Sequence, residues 1–182
     1  TDVYYEHHLM GKVATVMAHC IHLSDVEMDR MAETQTMVSH CPYSNVNLSS
    51  GIAPIRKLFE RKIPIGLGSD ISGGHIVSMA KVLTEAIGLS KMKWVEVDQT
   101  YAPLTLSEAF YMATKGGGKF FGKVGSFEKG CELDALVIDD TTLFDPNERS
   151  LEERLERWLY VGDDRHIIER YVAGKVAPEP TN

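Results

Sequence analysis

The chain has 182 residues, 43% of them hydrophobic and 25% charged, with a formal charge of −7 at pH 7. This is enough apolar mass for the core of one domain, or of one and part of a second. The acidic balance argues against a nucleic-acid or membrane surface as the main partner, and no apolar run nears the roughly 18 residues that span a bilayer.

The opening stretch, TDVYYEHHLMGK, has no initiator Met, and its apolar residues read as the tail of a helix stopped at Gly11. The sequence is therefore expected to start inside a longer protein. Residues 13–19, VATVMAH, are apolar and β-branched and predict a strand ending in His19. A helix follows, opened by Ser24 and Glu27 at capping-box spacing. Residues 36–40 read as a second strand, ending in His40 and broken by Cys41-Pro42. A polar loop over YSNVNLSSG leads to a helix over 52–62, with Pro54 inside its first turn. The third strand is 63–70, IPIGLGSD, ending in Asp70 beside the glycine pair Gly73-Gly74. Long helices are expected over 75–92 and 105–121, the second opened by Thr105 and Glu108 in another capping box. Residues 93–104 read as a surface excursion between them. After residue 122 the style changes to a turn- and β-rich run (124–140), an amphipathic helix (150–162) and a strand-like segment (167–176). A boundary between 1–122 and 123–182 follows, with the second part contributing to a small β domain with one packing helix.

Strand and helix alternate three times with connections too long for hairpins, which predicts βα units and a parallel sheet. Each predicted strand ends on a polar residue, His19, His40 or Asp70. One such histidine is an ordinary hydrogen-bonded structural residue. Three in succession at the same topological place point instead to a (β/α) barrel rim, where active sites sit, and to metal-dependent hydrolysis. His22, His75, His7, His8 and His166 are read as loop or surface residues. Cys20, Cys41 and Cys131 lack C-x-x-C spacing and read as free thiols in a reducing, cytoplasmic compartment. Cys20 and Cys41, each one residue past a strand-end histidine, read as small buried thiols and not as nucleophiles. Gly116-Gly117-Gly118 follows a helix rather than a strand and lacks phosphate-loop spacing.

The segments VMAHCIHLSDVEMDRMAE, SHCPYSNVNLSSGIAP, IPIGLGSDISGG and VGDDRHIIERYVAGKV resemble the amidohydrolase superfamily, and within it the guanine deaminases. The resemblance covers essentially the whole chain. It implies an α/β fold: strands six to eight of a (β/α)8 TIM-type barrel, plus a segment of a small β-sandwich domain. It implies zinc-dependent hydrolytic deamination of guanine to xanthine and ammonia by a homodimeric enzyme with one Zn²⁺ per site. Asp70 matches the family's metal-binding and proton-accepting aspartate. His19 matches the histidine that faces the attacking water and substrate. His40, Ser44 and Asn45 match the segment that contacts substrate. The pattern departs from the family in one respect: the chain has no H-x-H. The remaining zinc ligands, and the acid/base glutamate, would lie in a missing N-terminal half of the barrel, and this chain by itself would be inactive. Two other readings stay open. One is a different amidohydrolase acting on a related aminated or chlorinated heterocycle; the other is a catalytically incomplete structural or interaction fragment.

Overall fold

The computed structural model describes residues 1–143 and 145–178. Its first half is a three-stranded parallel sheet of β1 (Val16–Ala18), β2 (Met37–His40) and β3 (Ile65–Leu67), in the order β1-β2-β3. Val16 stands opposite Met37, and Val38 opposite Ile65. Parallel neighbours need crossovers, and helices supply them. A short α1 (Asp2–Glu6) precedes the sheet, α2 (Asp25–Glu33) joins β1 to β2, and α3 (Pro42–Asn47) and α4 (Ile55–Glu60) join β2 to β3.

The local signals behaved as their chemistry requires. Ser24 and Glu27 form a reciprocal capping box at the start of α2, which buries Met28 and Met31 against the sheet. Thr105 and Glu108 do the same for α6 (Leu106–Tyr111). Glu108 also takes two hydrogen bonds from Arg56 at 2.5 and 2.8 Å. Those bonds hold its carboxyl down at about 2. Arg56 donates as well to the carbonyls of Ala102 and Pro103, so one guanidinium ties α4 to the chain entering α6.

Several boundaries differ from expectation. The opening helix ends at Glu6, well short of Gly11. The predicted loop at 43–51 begins as helix α3, because Pro42 occupies its first turn and presets the backbone there. Pro54 caps α4 from outside rather than lying in its first turn. The long helix is α5 (Met79–Glu96), four residues later at each end than expected. At its start, Ser78 holds extended backbone as the N-cap residue, so the helix begins only at Met79. At its end, no Gly or Pro interrupts KMKWVE, so the helix runs on. After α6 the helix widens into a π turn over Met112–Gly116. Glycine is needed there: a Cβ on Gly116 would lie 2.7 Å from the Ile65 carbonyl oxygen, and one on Gly66 would lie 2.8 Å from the Gly117 Cα. The glycine run thus lets helix and strand touch backbone to backbone.

The C-terminal part is an antiparallel sheet of β4 (Ala135–Ile138), β5 (Ile167–Val172) and β6 (Lys175–Val176). The expected single strand at 167–176 is a hairpin. Ala173 and Gly174 both take positive φ, +50° and +75°, which folds β6 back on β5. Between β4 and β5 lies α7 (Leu151–Val161), opened by a Ser150–Glu153 capping box. Its Trp158 and Leu159 join the same core as Val38, Leu58, Ile65 and Leu83. Lys81 of α5 donates to the carbonyls of Leu159 and Tyr160 and fastens α7 in place.

Candidate active site

His19 and Asp70, from two different strand ends, meet in space. His19 directly follows β1 and Asp70 lies three residues past β3, and the His19 Nε2 stands 3.8 Å from Asp70 Oδ2. That is too long for a hydrogen bond. It is a spacing at which both atoms can bind the same cation or water molecule. Both side chains are about two-fifths exposed, so the pair is open to a ligand.

The backbone at both positions is held in an unusual conformation. His19 and Cys20 have φ of +66° and +50°, and Asp70 has +47°. Two successive non-glycine residues in the left-handed region cost on the order of 1–3 kcal/mol each unless surrounding contacts impose them. Those contacts are present. The His19 N–H donates to the Ser39 carbonyl at 2.9 Å, and the Asp70 carbonyl accepts from the Gly74 N–H at 2.6 Å. The turn below Asp70 is anchored from α3, where Asn47 Nδ2 donates to the Gly73 carbonyl at 2.7 Å. Asn47 was not singled out in the sequence. An amide side chain two residues past the Ser44-Asn45 pair was its only visible signal.

Gly73 itself is a wedge position. A Cβ built there would lie 2.6 Å from Ser44 Oγ and 2.7 Å from Asp70 Oδ2. Both oxygens therefore border the same small space, and only a residue without a side chain fits between them. The structure thus gathers Ser44 to Asp70, and Asn45 to His19, whose Nδ1 is 2.9 Å from Asn45 Oδ1. Ser44 and Asn45 are almost fully buried, and Ser44 Oγ and Asn45 Nδ2 have no hydrogen-bond partner among the described residues.

His40 is placed differently. It is 2% exposed, with its Nδ1 unpartnered among the described residues, and burial together with the nearby His19 pushes its imidazole down to about 4. It stays neutral at physiological pH. His22 bonds the Ser50 carbonyl from an exposed loop, and His75 sets its ring edge against Tyr43. His166 is not a bare surface residue: only 11% of its side chain is exposed, and it packs against Asp163. Burial pushes the Cys20 thiol up to about 11 and raises Cys41 as well, so neither supplies a thiolate near neutrality.

Among the described residues, no cluster of three or more His, Cys, Asp or Glu side chains could hold a metal. An imidazole nitrogen and a carboxylate oxygen are suitable zinc donors, so His19 and Asp70 fit a partial set.

The amidohydrolase family pattern matches residues 1–177. The chain belongs to the amidohydrolase family. It is 39% identical to the guanine deaminase of Dictyostelium discoideum over 96% of its length. It superimposes on the crystal structure of the guanine deaminase from C. acetobutylicum, which has guanine bound in the active site, with a TM-score of 0.92 and 51% identity over 96% of this chain. An adenosine deaminase from Xanthomonas campestris with bound zinc gives a TM-score of 0.73 at 26% identity over 88% of the chain. The chain spans about 40% of the Dictyostelium relative, 42% of the C. acetobutylicum structure and 36% of the Xanthomonas one. Its mixed α/β fold matches the C-terminal part of the guanine deaminase structures.

Proposed function

We propose that the whole protein to which this chain belongs hydrolyses guanine to xanthine and ammonia, and that His19 and Asp70 are part of its reactive centre. The observation that carries the reading is the convergence of His19 Nε2 and Asp70 Oδ2 beyond two strand ends of one parallel sheet. The 51% identity to a guanine-bound deaminase favours guanine over other heterocycles. The 26% identity to an adenosine deaminase supports a different heterocycle less strongly.

Deamination adds water to an amidine-like ring carbon and expels ammonia. Zinc, when bound, would lower the pKa of water from about 15.7 toward about 7. The residues that would face it are Asp70, as ligand, and His19. Asp70 then accepts the proton of the attacking water, a role worth about 10² to 10⁴ in rate. His19 fixes the direction of attack through Nε2, holding the nucleophile in line with the carbon. Ser44 and Asn45 adjoin this pair, and His40 is as deeply buried as they are. All three were expected to contact substrate. Their burial supports a supporting wall more than a contact surface.

Two donors do not close a zinc site that takes three or four. We therefore assign the remaining ligands, and the acid that protonates the leaving amine, to the part of the protein outside this chain. In this reading β1, β2 and β3 are barrel strands six to eight, residues 1–122 complete the barrel, and residues 123–182 contribute to a small β domain. A homodimer in the cytoplasm completes the proposal. The free thiols Cys20, Cys41 and Cys131 suit a reducing compartment. Among the described residues no helix is long and apolar enough to cross a membrane. The test is ammonia release by the full natural protein with guanine, adenine, cytosine and aminotriazines. Guanine is expected to give the largest kcat/KM, and equal or greater turnover of another substrate overturns the assignment.

A further inference from the structure

We propose that Asn45 is a positioning residue that holds His19 in one tautomer, with the ring proton on Nδ1 and the Nε2 lone pair turned toward Asp70. The inference rests on reading His19 and Asp70 as the reactive pair, and it gives Asn45 a role other than the substrate contact that the sequence suggested.

The geometry runs in one direction. Asn45 Oδ1 lies 2.9 Å from His19 Nδ1. An amide oxygen carries no hydrogen, so with Asn45 in this orientation the imidazole nitrogen facing it is the donor. A neutral imidazole has one N–H, and spending it on Asn45 leaves Nε2 as an acceptor. Nε2 is the atom that faces Asp70 across 3.8 Å, where a lone pair can receive a hydrogen bond from water or bind a cation. The alternative tautomer would place a proton there and close off both interactions. His19 needs this help, because its side chain is two-fifths exposed and an imidazole in water favours the proton on Nε2.

Asn45 is built to hold still. It is 1% exposed, on α3, whose first turn is set by Pro42. Its N–H donates to the Cys41 carbonyl at 3.0 Å, and its carbonyl accepts from the Ser50 N–H at 2.8 Å. Its Nδ2 is buried without a partner, so His19 is the side chain's one polar contact among the described residues. A side chain sealed this way reaches the chemistry through the ring it touches. Partners of this kind behind a reactive or metal-binding histidine are worth about 10- to 100-fold in activity or affinity.

The test uses the full natural protein with ¹⁵N-labelled histidine, at about pH 8, where an ordinary imidazole is neutral. His19 signals are assigned by their loss in His19→Gln. The wild type is expected to show a protonated Nδ1 and an unprotonated Nε2, and Asn45→Leu to move the proton to Nε2. In the kinetic arm, Asn45→Leu is expected to lower kcat about 10- to 100-fold with KM changed by less than about twofold. Asn45→Asp, which keeps an acceptor at Nδ1, should recover most of that loss. A proton on Nε2 in the wild type overturns the proposal, as does an unchanged tautomer in Asn45→Leu. So does a raised KM at constant kcat, which would return Asn45 to direct substrate contact. Should the wild type fail to turn over guanine, the proposed function falls, while the tautomer measurement still decides the role of Asn45.

Discussion

The described residues form two sheets of three strands each, and they are built for different ends. In the parallel sheet the central strand β2 is largely buried, and left-handed backbone and unpartnered buried side chains collect just beyond the strand ends. In the antiparallel sheet no strand residue is fully buried. The charged side chains around it pair near solvent: Arg154 with Asp140, Arg165 with Asp163, and Arg149 with Asp145. Unfavourable local features persist where something imposes them: a packed surround beyond the strand ends of the first sheet, and the tight Ala173-Gly174 turn in the second. Chemistry that needs a fixed histidine and a fixed carboxylate belongs to the first.

Four substitutions or conditions would break or sharpen this contrast. The largest effect is expected from Asp70→Ala in the full protein. Turnover should fall by about 10² to 10⁴, and zinc content should fall with it. Intact zinc and turnover would remove Asp70 from the centre. Next comes the acid response of the first sheet. The folded-state imidazole of His40 sits at about 4, below its ordinary 6.5, so the unfolded chain takes up the proton first. Its contribution is therefore complete above about pH 6.5 and fades as pH falls toward 4, by on the order of 3 kcal/mol. Denaturant titrations across that window should show the slope in the wild type and a shallower one in His40→Gln.

A smaller effect is expected at the glycine wedge. Gly73→Ala would put a Cβ within 2.7 Å of both Ser44 Oγ and Asp70 Oδ2 and push the carboxylate aside. A shift of about 1 Å at a reacting group can cost about 10²-fold, so kcat should drop roughly 10- to 100-fold while the circular dichroism spectrum stays native. Full activity would mean that the exact seat of Asp70 does not matter. The smallest effect belongs to the second sheet. Arg154 pairs with Asp140 through two contacts of 2.7 Å, yet its side chain is half exposed. Arg154→Ala should leave both the thermal midpoint and kcat essentially unchanged, because water and salt screen such a pair. A large loss there would place the two sheets on an equal footing.

The elements that could be read from the sequence were those specified by neighbours along the chain. The capping boxes expected at Ser24–Glu27 and Thr105–Glu108 formed, and the structure adds a third at Ser150–Glu153. Helix α3 could not be read, because YSNVN has the composition of a loop and becomes a helix by packing its buried side into the molecule. The β5–β6 hairpin escaped notice because Ala173-Gly174 is a weak turn signal, and the register of the strands decides the turn. The overrun of α5 had the opposite cause, the absence of any local stop.

What the sequence by itself determined was the alternation of strand and helix, and the placing of His19, His40 and Asp70 at or just past the strand ends. Both follow from periodicity and from rules that act over a few residues. Only the tertiary structure decided what each polar group faces. Asn45 is 26 residues from His19 in sequence and 2.9 Å from it in space. Gly73 lies between Ser44 and Asp70, and His40 is sealed while His19 is open. These are relations between segments that meet only when the sheet assembles, so no short stretch of sequence contains them.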